Sequence, residues 1–132
     1  MIQSGILNPH LLSLLARVRH TNTLVIADRA FPNFPQLEIV DLSLICGVPT
    51  VLQVLDALKP NFKIGKVWQA EQFITANSRE IVSSFDQAFA SIPNVIIERL
   101  DHDAFKKLVP GAIGLIRTGD ATLYGNIIIE SV

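Results

Sequence analysis

The residues best suited to acid/base chemistry in this sequence are a histidine and an aspartate on either side of one apolar run. His20 precedes the run Thr23–Ala27, and Asp28 follows it directly. Because the run is β-branched and aliphatic, it predicts a buried strand. Polar side chains at strand ends lie at the rim of a sheet, where open α/β folds bind their ligands. An imidazole in such a place can both donate and accept a proton near neutral pH.

Each of these two side chains also has a purely structural interpretation. His20 follows the predicted first helix, where a histidine can cap the C-terminus and the macrodipole favours its charged form. Asp28 precedes a proline-containing loop, where aspartate is a common turn residue. Since a strand separates them, the two side chains need not touch and can instead flank one ligand.

The other two histidines occupy helix starts. His102 lies between two aspartates at the start of a predicted short helix, where surface histidines are common. His10 begins the first predicted helix, and we interpret it as structural. The sequence has no H-E-x-x-H, no C-x-x-C and no pair of histidines one helical turn apart, so no metal site is predicted.

The connection between the last two predicted strands ends in a polar pair. Tyr124 and Asn126 are alternate residues entering the final strand, so their side chains are expected to face the same side. A phenol and a carboxamide together suit the recognition of hydroxyl groups. The alternative is a hairpin with a packed tyrosine. The glycines of Gly111–Gly114 lead into a strand, which does not match a nucleotide-binding loop.

The composition limits the class of protein. The 132 residues suffice for one domain, residues 1–132, with a core that needs no disulfide or metal. A net charge of −1 with scattered basic residues argues against nucleic acid or an anionic membrane as a partner. The lone Cys46 fits a reducing compartment such as the cytoplasm. We expect no signal peptide, because Met1–Gly5 has no basic stretch followed by a long apolar core. We expect no membrane span, because no apolar run approaches ~20 residues.

The apolar content is high for a small domain. Hydrophobic residues make up 49% of the chain and charged ones 17%, with a mean hydropathy of +0.40. A small domain cannot bury so much apolar surface alone, and large exposed patches usually mark protein interfaces. We therefore expect a homo-oligomer. The alternative is a monomer with an unusually well-buried sheet.

The apolar patterns predict helices and strands in alternation, which indicates a layered α/β architecture. Asn8 is the predicted N-cap of the first helix, and Asp101 that of the last. The unalternating Ile127–Ile129 indicates a strand that is covered on both faces. The predicted helices span 9–19, 48–58, 71–90 with a break near 77–78, and 102–108; the strands span 23–27, 37–42, 63–68, 94–98, 112–116 and 125–130.

Taken together, the sequence resembles the family of D-ribose pyranases and L-fucose mutarotases. The matching segments extend over nearly the whole chain, and their order and spacing are specific. They are Gly5-Ile6-Leu7-Asn8, His10-Leu11, His20-Thr21, Val25-Ile26-Ala27-Asp28, Pro32, Asp41-Leu42-Ser43-Leu44, Gly47-Val48-Pro49, His102, Phe105-Lys106, Ile116-Arg117-Thr118-Gly119 and Tyr124-Gly125-Asn126.

The resemblance implies a fold, a reaction and a site. The fold is a three-layer α/β/α sandwich with a mainly parallel central sheet, assembled into ring-shaped homo-oligomers, often decamers, with active sites at subunit contacts. The reaction is isomerisation between the cyclic forms of a free monosaccharide, without cofactor or metal. The resemblance implies His20 as the catalytic acid/base. It implies these substrate-binding residues: Asp28, His102, Tyr124, Gly125 and Asn126.

Some positions depart from the ribose branch of this family. Ribose pyranases often carry small residues after the aspartate, whereas this chain has Arg29-Ala30-Phe31. The pattern Asp28-x-x-Phe31-Pro32 and the Tyr124–Asn126 motif are closer to the fucose branch. Asn8 and the segments Asp41–Leu44 and Gly47–Pro49 are closer to the ribose branch. Arg29 would narrow the pocket or pair with an acid. We expect a sugar isomerase, with ribose slightly favoured. The alternative is a non-catalytic sugar-binding accessory of an uptake system.

Overall fold

A six-stranded mixed sheet forms the centre of the protein. The computed structural model describes all residues from Met1 to Val132. The strands are β1 (Thr23–Ala27), β2 (Ile39–Asp41), β3 (Ile64–Ala70), β4 (Ile96–Leu100), β5 (Gly114–Arg117) and β6 (Ile127–Ser131). They lie in the order β2-β5-β1-β6-β3-β4, and only β6 runs antiparallel to its neighbours. The expectation of a mainly parallel sheet is confirmed.

Helices cover both faces of this sheet. They are α1 (Pro9–Leu15), α2 (Val51–Leu58), α3 (Gln72–Ala76), α4 (Arg79–Ala90) and α5 (His102–Leu108), the last followed by a 3-10 turn. Apolar side chains of α1 to α4 pack against one face in a cluster of 18 buried residues, and Phe105 of α5 belongs to a cluster of 8 on the other face. The predicted three-layer sandwich is therefore confirmed, with α5 as the only α-helix of its layer.

The central strands divide their side chains between these two clusters. In β6, Ile127 and Ile129 belong to the larger cluster, whereas Ile128 belongs to the smaller one. All three are at most 1% exposed. The prediction of a strand covered on both faces is confirmed, and burial of each such side chain contributes about 1.5–3 kcal/mol relative to exposure.

Local capping signals account for where the helices begin. The Asn8 side chain accepts a hydrogen bond from the Leu11 amide at 2.9 Å, as predicted. Thr50 and Gln53 form a reciprocal capping box at the start of α2. Asp101 caps α5 by accepting from the Asp103 amide at 3.0 Å, which confirms the predicted start of that helix.

Several predicted boundaries are wrong by a few residues. The first helix ends at Leu15 instead of residue 19, because the chain continues in tight turns in which Arg17 and Val18 donate three residues back. The second helix starts at Val51 instead of residue 48, at its capping box. The predicted break near 77–78 is confirmed, since Ser78 caps α4. Strand β1 has its predicted bounds, and the ends of the other five strands shift by one or two residues.

Part of the apolar content remains on the surface. Leu44, Ile45 and Val48 lie together in the loop before α2, and their exposed fractions are 76%, 65% and 42%. Ile45 and Val48 are joined by an isolated β-bridge. Leu7, Ile96 and Leu123 are also about 60% exposed. No helix in the chain has both the length and the apolarity to cross a bilayer.

Candidate active site

A cleft of about 340 Å³ lies at the edge of the sheet where β1, β4 and β5 end and β6 begins. Asp28, His102, Tyr124 and Asn126 all line it, although they come from three separate parts of the chain. A larger cavity of about 700 Å³ lies between Lys59 and the chain end at Val132, but no histidine or acidic side chain lines it. The side chains suited to acid/base and hydroxyl recognition are therefore in the smaller cleft.

Asp28 is held rigidly at the end of β1. Its Oδ1 accepts hydrogen bonds from the amides of Ala30 at 2.8 Å and Phe31 at 2.7 Å. This local turn uses only one of the two carboxylate oxygens. Oδ2 has no protein partner and is available to accept a hydrogen bond from a ligand hydroxyl.

Asn126 joins Asp28 to the start of β6. Its Oδ1 accepts a hydrogen bond from the Asp28 amide at 2.7 Å. The residue is only 3% exposed. Because the carbonyl oxygen is engaged within the protein, the NH₂ group of Asn126 is the part left to donate to a ligand in the cleft.

His102 is the first residue of α5 and contributes an imidazole to the cleft. Its ring lies edge-on to the Tyr124 ring, with centroids 5.0 Å apart and planes at 82°. Its Nδ1 is buried and has no hydrogen-bond partner in the protein. Buried polar atoms are nearly always hydrogen-bonded, so this nitrogen is an exception within the chain.

The surroundings of His102 favour the neutral imidazole. Burial lowers the pKa of His102 below its ordinary value of 6.5, and the nearby Lys106 charge lowers it further. The carboxylates of Asp103, Asp101 and Asp28 oppose this pKa shift but do not reverse it. A neutral imidazole offers one donor and one acceptor, which suits a sugar hydroxyl.

Gln72 positions the start of α5. Its Oε1 accepts from the His102 amide at 3.0 Å, and its Nε2 donates to Asp101 Oδ1 at 2.8 Å. The second bond, together with the bond from the Asp103 amide, lowers the pKa of Asp101. Through these contacts α3 orients the helix end that carries the cleft histidine.

The segment from 118 to 126 is not the hairpin that the turn signals permit. β1 lies between β5 and β6, so the segment crosses the end of β1. The Thr118 hydroxyl donates to the Ala27 carbonyl at 2.8 Å, which fastens the crossing to β1. The predicted strand start at 125 is wrong, because Tyr124 has a left-handed φ of 51° and the ladder begins at Ile127. Tyr124 and Asn126 nevertheless both line the cleft.

Two further residues hold this crossing segment. Asp120 is 5% exposed, and its two carboxylate oxygens accept from the amides of Val51 at 2.9 Å and Thr122 at 2.8 Å. Arg117 donates to the Asp28 carbonyl at 3.1 Å and to Asn33 Oδ1 at 2.7 Å. The crossing segment is thus tied both to α2 and to the loop after β1.

Gly125 has a different place from its neighbours. It is buried, its amide donates to the Thr122 carbonyl at 3.2 Å, and it does not line the cleft. A Cβ atom at this position would lie 3.1 Å from Thr122 atoms. The glycine therefore permits the close turn between Tyr124 and Asn126.

His20 lies at the other end of β1 from the cleft. The five residues of that strand separate the two ends by about 13 Å. His20 is exposed in a turn fixed by Asn22, whose side chain accepts from the Arg19 amide at 2.8 Å. The Thr21 amide donates to the Ser131 carbonyl at 2.8 Å, which sets this turn beside the chain end. Within one chain, therefore, His20 is not brought together with the cleft residues.

Sequence reasoning missed the residues that support the cleft. Gln72, Asp120 and Thr118 have their partners 29 or more positions away, so no local pattern could reveal them. Arg29 and Lys106 also line the cleft. His10 is exposed on α1 and lies outside the cleft. No three His, Cys, Asp or Glu side chains are grouped so that they could hold a metal ion.

Comparison with known proteins identifies close relatives along the full length. The family model of the RbsD / FucU transport protein family matches residues 1–132. D-ribose pyranases of Exiguobacterium sp. and Geobacillus kaustophilus are 37% and 38% identical over 99% of this chain, covering 97% and 93% of their own lengths.

Solved structures show the same fold. Bacillus subtilis RbsD complexed with D-ribose superposes with a TM-score of 0.89 at 34% identity, covering 99% of this chain and 97% of its own. The fucose mutarotase of Streptococcus pneumoniae in complex with L-fucose reaches a TM-score of 0.77 at 20% identity, with coverages of 94% and 91%. The second likeness concerns the fold alone.

Proposed function

Since the chain belongs to the RbsD / FucU transport protein family, we propose that it is an isomerase that interconverts the cyclic forms of a free monosaccharide. The observation that carries this proposal is the cleft in which Asp28, His102, Tyr124 and Asn126 converge. Each presents an unused donor or acceptor, and none requires a cofactor. The whole chain, residues 1–132, would act as one such domain.

We propose D-ribose as the first sugar to test. The relatives that are 37% and 38% identical are D-ribose pyranases, and the bound sugar in the structure that is 34% identical is D-ribose. A pyranase exchanges six-membered and five-membered rings, whereas a simple anomerase only inverts the anomeric carbon. Both begin with the same ring opening.

In the proposed reaction the substrate ring opens and closes by proton transfer. The anomeric hydroxyl loses a proton while the ring oxygen gains one, which gives the open-chain aldehyde. After rotation about the first carbon–carbon bond, a hydroxyl adds to the aldehyde and the protons return. His20 would shuttle these protons, and such acid/base assistance contributes ~10²–10⁴-fold to a rate.

The substrate-binding roles follow from the groups left free in the cleft. Asp28 Oδ2 accepts from a hydroxyl, and the NH₂ of Asn126 and the phenol of Tyr124 bind others. The imidazole of His102, which lines the cleft, supplies a further polar contact. Gly125 acts through the tight turn that sets its two neighbours in the cleft.

We propose that His20 reaches this cleft from a neighbouring copy of the chain in a ring-shaped homo-oligomer, such as a decamer. His20 is exposed in a turn that the Arg19–Asn22 hydrogen bond stabilises, and the cleft of its own chain lies at the other end of β1. Exposed Leu44, Ile45 and Val48 supply apolar surface for contacts between copies. The single exposed Cys46 is consistent with a cytoplasmic enzyme.

Mixing two inactive variants tests the shared site. His20→Ala removes the proton carrier, and Asp28→Asn weakens the sugar contact, so each homo-oligomer should exchange D-ribose forms slowly in saturation-transfer NMR. When the two variants are unfolded and reassembled together, about a quarter of the interfaces regain both groups, because the subunits assort randomly. Exchange should recover to about that fraction. His10→Ala, at an exposed position outside the cleft, is the matched control.

Three results would count against parts of this proposal. Full exchange by His20→Ala would remove His20 from the mechanism. Two inactive variants that fail to recover after mixing would place both groups in one chain's site. Binding of ribose in a titration without faster exchange by the unaltered protein would favour the non-catalytic accessory instead.

A further inference from the structure

The short helix α3 connects the two sides of the cleft. It begins where the Glu71 amide donates to the Leu100 carbonyl at 2.9 Å, at the end of β4. Phe73 of α3 is completely buried, and its ring centroid lies 4.6 Å from that of Phe85 in α4. The helix is thus fixed both to the sheet and to the core, so groups bound to either of its ends are held in place.

The residue after α3 holds the side of the cleft that carries Tyr124. The NH₂ group of Asn77 donates to the Leu123 carbonyl at 2.8 Å and to the Phe73 carbonyl at 2.8 Å. The Leu123 carbonyl belongs to the peptide group directly before Tyr124. Because Tyr124 has a left-handed φ of 51°, which residues with a side chain rarely adopt, its conformation needs support from neighbouring contacts. The bond from Asn77 gives this support by fixing the orientation of that peptide group.

The first residue of α3 holds the opposite side of the cleft. Gln72 accepts from the His102 amide and donates to Asp101, so it fixes the start of α5. The rings of His102 and Tyr124 meet edge-on, with centroids 5.0 Å apart. One helix of five residues, with the residue that follows it, therefore holds both members of this ring pair.

We propose that Asn77 is a positioning residue of the cleft, which holds Tyr124 beside His102 in the orientation that binds the sugar. Asn77 acts through the Leu123 carbonyl and does not itself line the cleft. This inference rests on the proposed function and adds a residue that determines sugar affinity. A contact to a sugar hydroxyl that is equal in the bound state and the transition state affects KM and leaves kcat unchanged.

Asn77→Ala tests this proposal, with Asn61→Ala as the matched control. The Asn61 NH₂ group also donates to a carbonyl four residues back, that of Ala57 at 2.8 Å, but it has no bond to the crossing segment. In calorimetry with D-ribose, Asn77→Ala should raise Kd about 3- to 10-fold, as loss of one neutral hydrogen bond does. Saturation-transfer NMR should show KM raised by a similar factor and kcat changed by less than about 2-fold.

The ring signals of Tyr124 report its position directly. Tyr124 is the only tyrosine of the chain and Trp68 the only tryptophan, so selective labelling identifies the signals of both. In the protein without sugar, Asn77→Ala should shift the Tyr124 signals, because the ring moves relative to the His102 ring. Asn77→Asp should shift them as well, because it replaces the donor with a carboxylate oxygen that faces the Leu123 carbonyl. Asn61→Ala should leave them unchanged, and the Trp68 signals should stay in place in all three variants.

The inference would be overturned by unshifted Tyr124 signals in Asn77→Ala, or by a Kd for D-ribose equal to that of Asn61→Ala. A lower kcat at unchanged KM would also contradict it, since Asn77 would then act on proton transfer. If the Trp68 signals moved together with those of Tyr124, the substitution would have loosened the whole fold, which is not a positioning role. The ring signals are measured without sugar, so they test the position of Tyr124 even if the proposed function fails and no sugar exchanges faster.

Discussion

Replacing Asp120 should weaken the protein more than any exposed acid does. This carboxylate is 5% exposed and accepts hydrogen bonds from the amides of Val51 and Thr122, 69 and 2 residues away. Val51 is the first residue of α2, so the negative charge also faces the positive end of that helix. Asp120→Ala removes both acceptors at once.

The cost of Asp120→Ala can be worked out from the two bonds. The Val51 amide is buried, and leaving it unsatisfied costs about 1–3 kcal/mol. The Thr122 amide is only partly buried, so water replaces part of that bond and its loss costs about 0.5–1.5 kcal/mol. The free energy of unfolding should fall by roughly 2–4 kcal/mol. For a chain of this length that corresponds to a Tm lower by roughly 8–16 °C.

The assay is thermal unfolding of Asp120→Ala, Asp120→Asn and Asp86→Ala at equal protein concentration, because assembly makes Tm concentration-dependent. Asp120→Asn keeps one acceptor and should lose about half as much as Asp120→Ala. Asp86 forms an exposed ion pair with Arg99, so its removal should cost at most about 1 kcal/mol. If Asp120→Ala melts within about 2 °C of Asp86→Ala, the reasoning is refuted.

Two further predictions concern the same part of the molecule. Gly119→Ala should lower the free energy of unfolding, measured by thermal unfolding, by about 1–3 kcal/mol, because a Cβ there would clash with the carbonyl oxygens of Ile45 and Val48. Gly111→Ala is the control and should show no such loss, because the space around Gly111 is open. Because the pKa of His102 is lowered from 6.5 in the folded state, the unfolded state binds the proton first as pH falls. The free energy of unfolding, measured in urea, should therefore have its full value above pH 6.5 and decrease as the pH falls below 6.5. A His102→Asn variant whose stability depends on pH in the same way as that of the unaltered protein would contradict this prediction.

Local patterns predicted the elements whose signals lie close together in the chain. Asp101 precedes α5 directly, and its side chain needs only the amide two residues on to cap the helix. The strand at Ile127–Ile129 was recognisable from its unbroken apolar run. The resemblance to a family predicted sugar-binding roles for Asp28, His102, Tyr124 and Asn126. These four residues line one cleft, and their roles stay predictions.

Long-range contacts lay beyond the reach of these patterns. The short polar connection between β5 and β6 contains ordinary turn residues. Nothing in its sequence indicates that β1 lies between these two strands in the sheet. Gln72 orients the start of α5, but its partners Asp101 and His102 lie 29 and 30 positions further along the chain. His20 lies before β1, at the end of that strand opposite the cleft. Which strand ends meet at the cleft depends on the topology of the whole sheet, which local patterns do not reveal.

The place of β6 has a consequence for how the chain is made. This strand is synthesised after the other five, yet it lies in the middle of the sheet between β1 and β3. A nascent chain can therefore pair β2, β5 and β1, and separately β3 with β4, but each of these partial sheets keeps an apolar edge open until Ile127–Ser131 emerges. Exposed edges of this kind promote association with other chains. The nascent chain is therefore most prone to such association between the synthesis of β5 and the synthesis of β6.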